Sequence, residues 1–545
     1  MSTRGHEHLV GSSYDGHGPP QYKIHGEIFH RLGPLQAEHG TIPVFSQLYI
    51  YDHDEALQYR KHLNPQRDAV VMETLQTVLE NSHPLIEVYT QAHRLCRETS
   101  LTEYRLQLNF RKGCDRRRYN LPTADHELAL IIPGDEDVMA NAQQILLRPR
   151  GRALIRISQC DPLFWTLHFP LLMPTGQPGW EPGIPFVSSS QRSTRHVTLS
   201  DYAKFHLHPR PRSIETTHVF QASQLFQEFL VHLWAAAEHS RLTWVRDNQK
   251  KLRAELYNGV VDALHEGLDL ASIGKKVVLP ASFTGGPRFM QRSLQNALSL
   301  LRKFGGSDLF ITFTANSGWR EVQEALLPGQ STTQHPDLVA RVFHLKFESL
   351  LDEIMKKDIF GEAVAYAFTV EYQKCGLPHV HLVLFLARSS RLSTPEAVDK
   401  YISTEIPDEH DQPRLFNLVK QFMIHGPCGP GISSPCMNNN KCTKLFPKPF
   451  RARTEITGDS LVHTRRRDDG RFIRVGAHYV DNRSVVSYSP YLTLCYEAHI
   501  NVECTSGFHA VKYIYKVRHL VQCFYCSTVF YNTLSTFTKA PIARV

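Results

Sequence analysis

Two histidines separated by a single valine, His379 and His381, begin a run whose alternate positions Val380, Leu382, Leu384 and Leu386 are apolar. In a strand, side chains at i and i+2 point the same way, so both imidazoles share one face while the aliphatic residues fill the other. Two imidazoles a few ångströms apart on a rigid ladder can chelate one divalent ion. The stretch before them, Val364 to Tyr372, alternates in the same manner and places Ala365, Ala367 and Thr369 on a face with Glu371 and Gln373. A carboxylate or carboxamide beside two imidazoles makes a mixed nitrogen and oxygen site suited to Mg²⁺ or Mn²⁺ in company with phosphate. The small alanine and threonine side chains would leave room for a substrate above the sheet. Hairpin register decides whether Glu371 or Gln373 completes the site, and the charged oxygen of Glu371 suits a hard cation better. Set against this, a histidine pair in a strand is often ordinary surface or core furniture.

A second group has different chemistry. His425, Cys428, Cys436 and Cys442 fall in a Gly-, Pro- and Asn-rich stretch with little apolar content to fold by itself. Soft thiolates and an imidazole at His-x2-Cys-x7-Cys-x5-Cys spacing suit a tetrahedral, structural Zn²⁺, with reduced metal-free thiols as the alternative. Cys523 and Cys526 lack a partner pair and read as incidental. Lys444, Lys448, Arg451, Arg453 and Arg465 to Arg467, with Phe450, Tyr488, Tyr491 and Tyr496, would supply charge and stacking surfaces for a single nucleic-acid strand.

The elements that must carry these groups read as an α+β fold. Asp308 to Thr314 alternates like a half-buried strand, Leu338 to Lys357 places Val339, Phe343, Phe347, Leu350, Leu351 and Ile354 on one helical face, and the two histidine-bearing strands follow as a hairpin. Strand, helix and hairpin predict an antiparallel sheet with helices packed on it. Residues 1–21 read as a flexible lead. Residues 22–176 read as a mixed, β-rich N-terminal region, from short apolar runs between Pro and Gly turns. Residues 177–276 read as a linker followed by a helical segment, with Leu225, Phe229, Leu233 and Ala236 at helical spacing. Residues 277–518 form the informative domain, with the Cys/His insert at 425–450, and 519–545 is a divergent tail.

Composition sets the outer bounds. The chain has 545 residues, 42% hydrophobic and 21% charged, and a formal charge of +8, which is ordinary for a globular protein and a mild hint of a polyanionic partner. No run of apolar residues reaches the roughly 18–20 needed to span a bilayer, and the polar, His-rich first 25 residues lack a secretory h-region. No membrane is expected. Eleven cysteines in so long a chain do not make a disulfide scaffold, so clustered cysteines become metal candidates.

Several ordered motifs carry a family resemblance. Phe310 to Trp319 (FITFTANSGW), Leu326 to Gln330 (LLPGQ), Pro336 to Phe343 (PDLVARVF) and Glu371 to His381 (EYQKCGLPHVH) together resemble the N-terminal Helitron helicase-like domain. That domain is the replication-initiator (Rep) part of Helitron rolling-circle transposases, a branch of the HUH endonucleases. Arg117 to Pro122, Asp161 to Leu163, Pro170 to Gly176 and Leu279 to Arg288 resemble the same proteins, as does the Cys/His stretch that ends in Lys444-Leu-Phe-Pro-Lys448, so the likeness covers most of residues 22–518.

The resemblance implies a transposable-element protein that nicks and joins single-stranded DNA at transposon ends. A tyrosine stays joined to the 5′-phosphate and a divalent ion polarises the scissile phosphate. Its nucleophile would lie in Ala510 to Lys516 (AVKYIYK). Read as a helix, Ala510, Ile514, Val517 and Val521 form the apolar stripe. At ~100° per residue Tyr513 borders that stripe at roughly 70°, while Tyr515 points about 130° away. Tyr513 is therefore the expected nucleophile and Lys516, at i+3, completes a Tyr-x-x-Lys pattern similar to that of Rep proteins. The family usually has a second tyrosine four residues on, where this chain has Val517. Single nicking is compatible with that change, while a two-tyrosine strand-transfer cycle is not. No Gly-x4-Gly-Lys-Ser/Thr phosphate loop occurs, and the text after about His519 departs from the family. The expectation is a truncated relative served by a separate helicase partner, acting in the nucleus where its DNA partner lies. Two alternatives stand beside it: a catalytically inactive DNA-binding remnant of a Helitron, and a metal-dependent phosphoesterase that leaves Tyr513 idle.

Overall fold

The computed structural model describes residues 42–43, 51–86, 162–186, 196–208, 218–249 and 279–505, except 52, 85, 284–285, 373–375, 430–431, 433, 435, 440 and 458–460. It also describes the short strand segments 9–10, 23–24, 106–107, 129–130, 144–147 and 155–158. The chain divides into two compact units, the first built mainly from residues 22–244 and the second mainly from residues 245–545.

The described part of the first unit is mixed, with short antiparallel ladders and a set of helices. Helix Ala69–Ser82 begins at Asp68, whose carboxylate accepts from the backbone N–H groups of Val70 and Val71, satisfying donors that a helix start leaves open. Helix Leu199–Leu207 begins with a capping box between Thr198 and Asp201. Helices Pro162–His168 and Ser223–Asp247 share an aromatic core in which Trp165 and Phe169 meet the Phe229 ring edge-on, at 5.8 and 5.2 Å between centroids. The helical spacing of Phe229, Leu233 and Ala236 is realised there, all three being buried.

The second unit is an α+β sandwich. Strands β1 (Leu309–Thr314), β2 (Ala363–Tyr372), β3 (Pro378–Leu386) and β4 (Ile500–Cys504) form one antiparallel sheet in the order β4-β1-β3-β2. Leu309, Ile311 and Phe313 of β1, Val380, Leu382, Leu384 and Leu386 of β3, and Ile500 and Val502 of β4 are buried together on one face. Helix α2 (Pro336–Lys356) covers that face. Its proline occupies the first turn, where the missing N–H costs nothing, and its apolar stripe brings Phe343 to 5.2 Å from Phe313 and Phe347 to 4.9 Å from Phe368. Each such ring, fully buried, stabilises the fold by about 1.5–3 kcal/mol.

Helix packing accounts for only part of the opposite face. Helix α1 (Pro287–Phe304) sets Leu294, Ala297, Leu298 and Leu301 against Ala365, Val383 and Phe385. It stops at Gly305, whose φ of +76° is the left-handed cap that a side chain resists. Beyond the reach of those contacts lie the polar ends of the strands, with Thr312, Thr314, Glu371, His379 and His381. A smaller cluster includes Ile406, Phe416, Val419, Met423, Val485 and Tyr488. Among the described residues no helix is long and apolar enough to cross a membrane.

Candidate functional site

Strand register brings the polar side chains together. His379 lies between Thr314 on β1 and Glu371 on β2, and His381 between Thr312 and Thr369. Because β3 is internal, both imidazoles stand between two neighbouring strands and their rings are confined. His379 Nδ1 is 2.8 Å from Thr314 Oγ1 and His381 Nδ1 is 3.2 Å from Thr312 Oγ1. With each Nδ1–H donated to its threonine, the lone pairs of both Nε2 atoms converge, and those atoms are 3.0 Å apart. Metal–nitrogen bonds of about 2.1 Å at a right angle would separate two ligand nitrogens by about 3.0 Å. This donor pair fits one divalent cation held at adjacent coordination positions.

The electrostatics keep the rings in the ligand form. Burial, reinforced by the His381 and His499 imidazoles, lowers the His379 pKa to about 3. Burial and the Lys444 ammonium lower that of His381, which is 8% exposed, to about 4. Both are neutral near pH 7, as coordination requires. Glu371 Oε2 lies 3.8 Å from His381 Nε2, and burial raises the Glu371 carboxyl above its ordinary range. Glu371 stands beside the pair, but the three do not form one donor group: among the described residues, the sets of three or more donor atoms within 4.8 Å of one another do not include His379, His381 and Glu371. His499, just before β4, is fixed by its Nδ1 at 2.8 Å from the Phe422 carbonyl.

The second group also assembles. The donor atoms of His425, Cys428, Cys436 and Cys442 all lie within 4.8 Å of one another. Cys442 Sγ is 3.3 Å from His425 Nε2, close to the roughly 3.6 Å expected for sulfur and nitrogen on one tetrahedral zinc. Burial, together with the neighbouring Cys442 and Cys436 thiols, raises the Cys428 thiol. At Cys442 burial opposes ionisation, but backbone N–H groups of Phe446 and Lys444 outweigh it and lower the thiol. Several thiolates this close need a cation to coexist. The backbone is shaped for the approach: Gly426 has φ +113°, and a Cβ there would meet the Cys428 nitrogen at 3.0 Å. A two-residue ladder pairs Met437 with Cys442, and the Thr443 N–H donates to the Cys436 carbonyl at 2.8 Å, closing the loop.

The same loop delivers Lys444, an exposed residue whose charge adds to burial in lowering both His381 and His425. That it acts on both groups is not evident from the sequence. Thr312 and Thr314 do not stand out as site residues in the sequence, although polar side chains at i and i+2 within an apolar strand are a signal once paired with His-x-His.

Several expected DNA-contacting groups belong to the interior instead. Tyr488 is 1% exposed and donates to the Glu405 carbonyl, while Tyr496 packs in the main core on Phe313. Arg466 is buried and donates to the carbonyls of Asn482 and Val485. Arg467 forms a two-pronged pair with Glu405, and Arg465 lies 3.5 Å from both Asp399 and Glu405. The Arg483 guanidinium covers the Phe450 ring at 4.7 Å. Charge and aromaticity do not report depth: Tyr488, Tyr496 and Arg466 are interior, whereas the paired Arg465 and Arg467 side chains keep 37% and 49% of their exposure and Tyr491 is exposed, as a surface role requires. Tyr513, Lys516, Val517 and Gln373 lie outside the described residues.

A four-stranded antiparallel sheet with helices packed on it and two converging imidazoles on its polar side places the second unit in the α+β class. Residues 202–384 match the family model described as "Helitron helicase-like domain at N-terminus", so this segment is the Helitron Rep-like region. Glu371, His379 and His381 lie within it; the Cys/His group and Tyr513 lie beyond it. No curated protein matches the chain.

Proposed function

We propose that the second unit is a divalent-metal-dependent nuclease that nicks single-stranded DNA through Tyr513, of the Rep type found in the HUH endonucleases. The observation that carries this reading is the 3.0 Å convergence of His379 and His381 Nε2 inside the matched segment. His379 and His381 would hold Mg²⁺ or Mn²⁺, with Glu371 beside them and Thr312 and Thr314 fixing the rings through Nδ1. A cation bound there polarises the scissile phosphate and offsets charge developing on its oxygens. Lys444 adds a positive group for the backbone of the bound strand. The Tyr513 phenol oxygen attacks phosphorus, a bond from tyrosine oxygen to phosphorus forms, and the bond from phosphorus to the 3′-oxygen breaks. The phenolic proton passes to solvent and the leaving strand takes up a proton as a free 3′-hydroxyl. Lys516, three residues after Tyr513 in the chain, would favour the ionised phenol. The Cys/His group would hold a structural Zn²⁺ that keeps Lys444 in place. Transposon ends are the proposed substrate and the nucleus the proposed compartment.

The test is incubation of the full chain with end-labelled single-stranded DNA and Mn²⁺, followed by denaturing electrophoresis. A covalent adduct that disappears in both Tyr513→Phe and His379→Ala is expected. DNA binding without cleavage would identify an inactive remnant, and cleavage that survives Tyr513→Phe would identify a phosphoesterase without a covalent intermediate.

A further inference from the structure

The first unit carries a donor cluster that the nicking chemistry does not use. His168, at the end of helix Pro162–His168, meets Glu228 and His232 of helix Ser223–Asp247, and one donor atom from each lies within 4.8 Å of the other two. Glu228 and His232 are four residues apart, so one helical face presents both. His168 comes from a separate helix 60 residues earlier in the chain, which is why no local motif announces the group. The imidazole centroids of His168 and His232 are 4.5 Å apart with planes inclined at 58°. Both histidines are deep, His232 being 2% and His168 7% exposed.

We propose that His168, Glu228 and His232 form a structural Zn²⁺ site that joins these two helices. Two imidazoles and one carboxylate are a borderline-soft donor set that zinc accepts in a tetrahedron, with one position left for water. Glu228 is half-buried and the group's other members are neutral imidazoles, so a divalent ion would supply the positive partner that the three donors themselves lack. The surroundings fit a structural ion better than a reacting centre. Phe164 stacks on His168 at 5.3 Å, and Phe169 lies 4.3 Å from the His168 ring and 5.5 Å from that of His232. An aromatic shell of this kind excludes a substrate while holding the ligands in place.

The test follows backbone hydrogen exchange by mass spectrometry in the full chain, stripped with chelator and then titrated with Zn²⁺. Peptides covering 162–169 and 223–235 are expected to slow by about 100-fold at free zinc about 100 times the dissociation constant. In Glu228→Gln, which keeps side-chain size, that slowing should be lost, while zinc-dependent slowing around Cys436 and Cys442 persists. The wild-type measurement stands alone if the variant does not fold: exchange in those two peptides that ignores zinc while the Cys/His peptides respond would overturn the proposal. So would an undiminished response in a folded Glu228→Gln protein.

Discussion

The lowered pKa values of the paired imidazoles predict a specific weakness of the second unit toward acid. In the folded chain His379 titrates at about 3 and His381 at about 4, both chiefly because burial disfavours the charged ring. In the unfolded chain both return to about 6.5. Between those values the unfolded state binds more protons, so stability falls as pH falls. The contribution of keeping both rings neutral is fully present above about 6.5 and is lost as pH drops toward 4 and then 3. Each group contributes about 1.4 kcal/mol per pH unit in this window. At pH 5, about 1.5 units below the unfolded value, the pair costs about 4 kcal/mol relative to neutral pH. The comparison is wild type against His379→Gln/His381→Gln, whose side chains do not titrate. Urea unfolding at pH 7.5 and 5.0 with chelator present would be followed by hydrogen exchange of the β1 and β3 peptides. The wild type should lose about 4 kcal/mol more than the variant over this interval. His499, also lowered by burial, remains in both proteins and cancels from the difference. Equal acid sensitivity of the two proteins would show that these rings are not held neutral by the sheet.

Other outcomes test the surrounding shell. Thr312→Val and Thr314→Val each remove the partner of an imidazole Nδ1 and should weaken Mn²⁺ binding about 10–100-fold by calorimetry; unchanged affinity would mean that the rings are oriented by packing alone. Lys444→Ala should weaken single-stranded DNA binding and lower the slope of log affinity against log salt by about 0.7, and an unaltered slope would remove this residue from the DNA path. Arg466→Ala should cost roughly 3–5 kcal/mol in urea unfolding because it strips donors from buried carbonyls. A small effect at Arg466 would place this guanidinium in solvent. Cys436→Ser should release zinc from the Cys/His group, as measured by chelator competition, and retained zinc would point to other ligands.

The sequence by itself determined whatever depends on local period. Alternation at every second residue put His379 and His381 on one face, because strand geometry leaves no other choice. Helical spacing exposed the buried stripe of Val339, Phe343, Phe347, Leu350 and Ile354, and the four spaced Cys/His residues announced a loop whose donor atoms converge. Tertiary structure decided which distant residues meet. The order β4-β1-β3-β2 put Thr312 and Thr314 against the imidazoles, and the hairpin register put Glu371 opposite His379. It likewise took Tyr488, Tyr496 and Arg466 into the interior and joined His168 to Glu228 and His232. Side-chain type and spacing describe a face, but only the packing of one element on another says what that face touches and whether water reaches it.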